Sequence, residues 1–185
     1  MKIAETSIPG CYEIIPKIFR DNRGAFVKTF QEKIFLENGL VTNFAEEFHS
    51  TSHQGVLRGL HFQTPPFDHT KIVYCVSGEI FDAVVDLRIG SPTYGKHSVF
   101  NISAGKGNIL YIPAGLAHGF YVLSLSATVV YKVTTEHSQE CDKGILWNSA
   151  GITWPDDDPV LSMRDKEFPL FKNFRSPFTY EHPGM

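Results

Sequence analysis

The chain has 185 residues, 42% hydrophobic and 13% aromatic, which suits one domain, residues 1–185, with a sizeable core. Its net charge of −3 gives no broad basic surface for nucleic acid or an anionic membrane. No apolar run approaches the roughly 20 residues of a membrane span, residues 1–6 lack the apolar core of a signal peptide, and Cys11, Cys75 and Cys141 are odd in number and far apart. The expectation is a cytoplasmic protein with reduced thiols and no disulfide.

In chain order, segments rich in β-branched and aromatic residues alternate with turn signals. Residues 12–19 form the first predicted strand, and 20–24 turn into a second at 25–30. Residues 32–40 are the only convincing early helix. Strands follow at 43–52, 55–63, 71–77, 79–87, 96–102, 108–112, 119–123 and 127–134. So many short strands suit a sandwich or small barrel better than one flat sheet. Within residues 80–87 a period of two places Asp82, Val84 and Asp86 on one face. Two carboxylates facing inward would be costly unless partnered, so this face either borders a polar cavity or meets solvent. Beyond Cys141 the pattern is irregular, with a short helix at 162–166 that Ser162 can cap. There are no internal repeats or linkers.

The chemistry-bearing residues concentrate in two segments. The first, Gly55 through Gln63, carries His61; the second, Gly107 through His118, contains Pro113-x-Gly115-x-x-His118. This spacing resembles the two cupin motifs and implies an all-β, cupin-type double-stranded β-helix (jelly-roll barrel) with a few short peripheral helices. A metal-binding cupin has a second histidine where Gln63 stands and a carboxylate where Lys71 stands, with six residues between it and Gly78. Divalent ions need converging lone-pair donors, so an ammonium there argues for a site with no metal and no cofactor. Strands of one barrel should bring His61, Lys71, His118 and Tyr131 to one end of the cavity, where clustered ionisable groups can support proton transfer. Arg23 and Arg58 are the natural anion holders, with a surface ion pair as the other reading of Arg23.

Arg23-Gly24, Gly55 through Gln63, Phe81 through Arg88, Ser91 through Gly95, Ile112 through Phe120, Tyr131-Lys132 and Leu161 through Asp165 together resemble the dTDP-4-dehydrorhamnose 3,5-epimerases. The resemblance implies a homodimeric, metal-free enzyme acting on a nucleotide-diphospho-4-keto-6-deoxy sugar in cell-surface polysaccharide synthesis. By residue-wise match, His61 removes a proton beside the ketone, Asp165 orients it, Lys71 stabilises the enolate oxygen and Tyr131 reprotonates from the opposite face. Arg23, Arg58 and His118 would hold the diphosphate or sugar, with Arg164 beside Asp165 at the same site. The departures are Lys28, Glu46, Glu47, Phe48 and His137, at positions that surround the nucleotide in the family. They suggest a CDP- or GDP-linked sugar, with unchanged thymidine recognition as the alternative. The same acid and base would also serve a 3- or 5-epimerase inverting one centre. A metal-dependent cupin and a non-catalytic sugar-nucleotide binding module are the readings from other classes.

Overall fold

The computed structural model describes residues 1–181. In chain order these form strands β1 (Lys2–Glu5), β2 (Tyr12–Ile15), β3 (Ile18–Asp21) and β4 (Gly24–Val27), then helix α1 (Glu32–Glu37). The central strands are β5 (Glu46–His53), β6 (Leu57–Gln63), β7 (Lys71–Ser77), β8 (Glu79–Asp86) and β9 (His97–Ser103). They are followed by β10 (Ile109–Ile112), β11 (Leu116–Val122), β12 (Ser126–Val133), β13 (Asp142–Gly144) and the short helix α2 (Met163–Lys166). The strands make a six-stranded sheet, ordered β1-β2-β10-β7-β12-β5, and a five-stranded sheet, ordered β13-β6-β11-β8-β9. β3 and β4 form a separate hairpin. This two-sheet antiparallel arrangement is the expected jelly-roll of the cupin type.

Three apolar clusters explain the layering. Val73, Val84, Leu110, Phe120 and Val129 belong to the cluster between the sheets. On the outer side of the five-stranded sheet, Leu60, Phe62 and Val85 meet the C-terminal residues Ile145, Trp147, Trp154 and Phe178. On the outer side of the six-stranded sheet, Ile72 and Tyr111 are covered by Phe35 of α1 and by Leu40. With both of its faces covered, β11 is buried at every position, which removes the polar alternation that would mark a strand in the sequence. Its observed start at Leu116 therefore precedes the expected start at 119.

The predicted strand 12–19 is divided at Pro16 into β2 and β3, because proline has no N–H for the ladder. The strands β1 and β13 were not anticipated; each is short and pairs at a sheet edge. No helix among the described residues is long and apolar enough to cross a membrane.

Asp82 and Asp86 are fully buried, so the solvent reading of their face is overturned. Each has its own partners. Asp82 accepts a 2.7 Å hydrogen bond from His118 Nε2 at the cavity wall. Asp86 lies in a separate network: it accepts from Arg88 Nε at 2.9 Å, Ser91 Oγ at 2.6 Å and Thr93 Oγ1 at 2.7 Å. Burial pushes its pKa up, but these hydrogen bonds prevail and hold it below the usual carboxylate value. Asp86→Ala would leave Arg88, itself buried, without its counter-ion. The expected cost is about 3–5 kcal/mol, read as a lower urea midpoint with an unchanged m-value.

Candidate active site

β6 carries the central feature, and its geometry depends on an irregularity. Opposite β11, His61 pairs with His118 while Arg58 pairs with Phe120, so two residues of β6, Gly59 and Leu60, face one of β11, Gly119. An extra residue of this kind reverses which face the following side chains occupy. Val56 packs inward and Leu57 outward before the bulge; after it, Leu60 and Phe62 face outward. Arg58 and His61, three apart and on opposite faces of a regular strand, consequently both line the cavity. Glycine at 59 is required by two observations. Its φ is +138°, and an added Cβ would lie 2.5 Å from Gly119 Cα and 3.1 Å from the His118 carbonyl oxygen.

The cavity is about 250 Å³ and opens between the two sheets. His61 reaches it from β6, His118 from β11, Lys71 from the start of β7 and Tyr131 from β12. The five-stranded sheet therefore supplies both histidines, and the six-stranded sheet supplies the lysine and the tyrosine.

His61 Nε2 and Asp165 Oδ1 are 2.8 Å apart. Ionised Asp165 can only accept, so His61 donates from Nε2 and keeps a lone pair on Nδ1. Asp165 is fixed in turn by α2. Its backbone N–H donates to Ser162 Oγ at 3.0 Å, the expected cap, and its Oδ2 accepts from Gly59 N at 3.3 Å. Burial raises the Asp165 pKa, but the hydrogen bonds from His61, Gly59 and Ser162 leave it below the ordinary value. The ring of Phe168 meets His61 edge-on at 5.6 Å. Gly144 makes room for it, since a Cβ there would collide with the Phe168 ring.

Lys71 is 7% exposed, and no hydrogen bond or ion pair among the described residues engages its ammonium. Burial lowers its pKa to about 8, opposed by the charges of Asp142 and Asp82. It is thus a charged donor aimed into the cavity near neutral pH. Tyr131 stacks on Phe48 at 4.8 Å and 15°, and its ring lies 6.3 Å from that of His118. Burial pushes the phenol pKa up, so it remains protonated. Burial also pushes the His118 imidazole down and the Asp82 carboxyl up, with their attraction opposing both shifts.

Gln63, at the second cupin histidine position, is committed to structure. Its Oε1 accepts from Ser138 N at 2.6 Å and its Nε2 donates to the carbonyls of Phe67 at 2.8 Å and Glu136 at 3.2 Å. A spent amide and an ammonium at the ligand positions do not suit a divalent ion.

Around the rim, Glu46, Phe48, Arg58, His137 and Arg164 also line the cavity. Arg58 Nε donates to Ser52 Oγ at 2.8 Å. Arg164 pairs with Asp142 at 2.7 Å, His137 Nε2 lies 3.3 Å from the same carboxylate, and the His137 backbone N–H donates to Glu46 at 2.9 Å. Besides Asp165, which stands behind His61, three predicted residues do not line the cavity. Glu47 alternates to the outer face of β5, where it meets Lys132 at 2.8 Å. Arg23 sits at the tip of the β3–β4 hairpin, its side chain 85% exposed and paired with Asp21 at 2.6 Å. Lys28 follows the same hairpin and is absent from the cavity lining. His69 and Asp142 line the cavity without having been anticipated. For His69 a signal was available: it precedes Lys71 by two residues, the spacing of one strand face.

The model for the family described as dTDP-4-dehydrorhamnose 3,5-epimerase matches residues 5–173. The chain belongs to that family. A dTDP-4-dehydrorhamnose 3,5-epimerase of Shigella flexneri is 45% identical over 168 residues, covering 89% of this chain and 93% of that protein. The crystal structure of the Legionella pneumophila dTDP-6-deoxy-D-glucose-3,5-epimerase, in complex with dTDP-4-keto-L-rhamnose, superposes with a TM-score of 0.93. It is 36% identical, with 98% of this chain and 99% of that one covered. A 3'-monoepimerase from Streptomyces bikiniensis, in complex with dTDP-quinovose, is 34% identical with a TM-score of 0.84, covering 90% of this chain and 86% of its own. The dTDP-4-dehydrorhamnose 3,5-epimerase family is one of isomerases, so membership makes this chain a carbohydrate epimerase with a cupin-like barrel.

Proposed function

We propose that the protein inverts C3 and C5 of a dTDP-linked 4-keto-6-deoxy sugar by metal-free proton transfer. The observation that carries this reading is the placement of His61 and Tyr131 on opposite sheets across one cavity, with Lys71 in its wall. Hydrogen on carbon beside a ketone is acidic because the electron pair left behind delocalises onto the carbonyl oxygen. His61 Nδ1 takes that proton while Asp165 holds the ring and stabilises the imidazolium. Lys71 donates to the C4 oxygen as it becomes an enolate, and a preorganised donor at developing charge is worth about 3–4 kcal/mol. Tyr131 then delivers its phenolic proton to the same carbon from the other side, and the centre is inverted.

Arg58 and His118 are suited to the diphosphate or sugar, and the rim of Glu46, Phe48, His137 and Arg164 to the nucleotide. The dTDP ligands of the Legionella and Streptomyces structures favour thymidine over the cytidine or guanosine suggested by the departures at that rim. A homodimer is part of the proposal. Phe19 and Phe26 on the β3–β4 hairpin are 51% and 59% exposed and face each other at 6.4 Å, an apolar surface that a second copy would cover. Arg23 and Lys28, which do not enter their own cavity, would then serve a partner. The three cysteines are unpaired, and burial pushes Cys11 and Cys75 up to about 12, consistent with a cytoplasmic setting.

The test is incubation with dTDP-4-keto-6-deoxyglucose in deuterated water, followed by NMR. Deuterium at both C3 and C5 is expected, together with the product inverted at both. Exchange at one carbon would reassign the protein as a single-centre epimerase, and no exchange would overturn the enzymatic reading. Tyr131→Phe should retain exchange from the His61 face and lose inversion by about 10²-fold or more. Unimpaired inversion by this variant would remove Tyr131 as the acid.

A further inference from the structure

The phenol that the proposed reaction sets across the cavity from His61 is only loosely tied at its polar end. Ser50 Oγ is a polar neighbour of the Tyr131 hydroxyl, yet among the described residues this buried oxygen has no hydrogen-bond partner of normal geometry. The direction of the O–H therefore follows the ring, and the torsion that turns a tyrosine ring is broad. Packing has to set it.

That packing comes from the neighbouring strands. In the six-stranded sheet Tyr131 of β12 is paired with Phe48 of the edge strand β5 on one side and with the buried Val73 of β7 on the other. Residues directly opposite one another share a face, and both Phe48 and Tyr131 line the cavity. The Phe48 ring lies almost flat on the Tyr131 ring, 4.8 Å away and 15° from parallel, while the His118 ring meets it at 6.3 Å and 73°. Phe48 itself is 44% exposed at the cavity mouth. It buries little of its own surface there, and what its inner face covers is the tyrosine.

The orientation of this ring decides the fate of the enolate. Once His61 has taken the proton, it can return one to the face from which it came, which exchanges the hydrogen and leaves the centre unchanged. Inversion requires Tyr131 to donate from the other face first. The two outcomes start from the same intermediate, so their ratio reports the placement of the phenol and is insensitive to how well the enolate is stabilised or how much protein is folded.

We propose that Phe48 is the positioning residue of the acid: its stack on Tyr131 holds the phenol toward the reacting carbon and sets how much of the enolate is inverted rather than returned. This rests on the epimerase reading above and deepens it, committing one face of a rim residue to the proton donor.

The test measures initial rates of deuterium exchange and of inversion by NMR, with dTDP-4-keto-6-deoxyglucose saturating in deuterated water. An aromatic pair's contribution beyond burial corresponds to a population change of about two- to tenfold, so Phe48→Leu, which keeps an apolar side chain and loses the stack, should lower the inversions per exchange by that factor. Phe48→Tyr, which keeps a ring that can stack, should restore the ratio. In a Tyr131→Phe background Phe48→Leu should cause no further fall, because a residue acting through the phenol has nothing left to position. An unchanged ratio in Phe48→Leu, a ratio not restored by Phe48→Tyr, or a further fall in the double variant would each overturn the role. Weakened dTDP binding with the ratio intact would make Phe48 a nucleotide contact alone, and would overturn it too. If the wild-type protein exchanges no carbon-bound hydrogen, the epimerase reading itself falls. Intact wild-type exchange and inversion, with an indifferent Phe48→Leu variant, removes only the role of Phe48.

Discussion

His61→Asn is expected to abolish deuterium wash-in at both sugar carbons while dTDP still binds and the fold persists. The reason is geometric before it is chemical. Nε2 of His61 is occupied by Asp165 at 2.8 Å, so the only lone pair offered to the cavity is on Nδ1, and asparagine puts a far weaker base in its place. Loss of a positioned general base costs about 10²–10⁴-fold, and both carbons depend on the same ring, so the two exchange rates should fall together. Folding should survive, because the ring is only partly buried and the cluster behind it is built by Leu60, Phe62 and Ile145. Asp165→Asn provides the companion measurement: its effect should be smaller and in the same direction, since the base remains and only its orientation and tautomer are disturbed. Full exchange by His61→Asn, or exchange lost at one carbon alone, would show that another group takes the proton.

Why the site was partly legible in the sequence follows from how each residue is held. His61, Lys71, His118 and Tyr131 sit on strands whose order in the barrel the two glycine-bounded motifs already imply, so their convergence could be anticipated from spacing. Asp165 came from the residue-wise resemblance alone; what the residues themselves offered there was Ser162 as a helix cap, which the structure bears out. Glu47 was misjudged with Glu46 and Phe48 as one block, although strict alternation sends it to the other face of β5, where Lys132 meets it. The opposite error is possible at Arg58 and His61. Strict alternation would separate them, and only the bulge at Gly59, forced by its approach to Gly119, puts both in the cavity. No period in the sequence encodes that bulge; its trace is glycine at both contacting positions. Arg23 lies beyond this kind of reasoning altogether, since the hairpin that carries it does not pack its phenylalanines against the barrel. β11 was shortened because burial on both faces erases its alternation, a loss of signal that accompanies a covered central strand.

Lys71→Gln should lower kcat by about 10²–10³-fold and, more tellingly, change the pH profile. The wild-type ammonium is buried, and burial brings its pKa down to about 8 against the pull of Asp142 and Asp82. Only the protonated amine stabilises an enolate oxygen, so kcat/KM should fall tenfold per unit above about pH 8. Tyr131 cannot supply that limb: burial raises its pKa, and the acid form persists through the range where Lys71 loses its proton. The variant keeps a hydrogen-bond donor but no ionisable group at this position, so its much lower rate should be flat across the same interval. dTDP affinity is measured alongside, so that a loss confined to the chemical step is separated from a loss of binding. An alkaline limb that survives Lys71→Gln would move the titrating group elsewhere. A wild-type limb displaced to the ordinary lysine range would mean the ammonium is hydrated during turnover, and the stabilisation assigned to it would shrink with the rise in local dielectric.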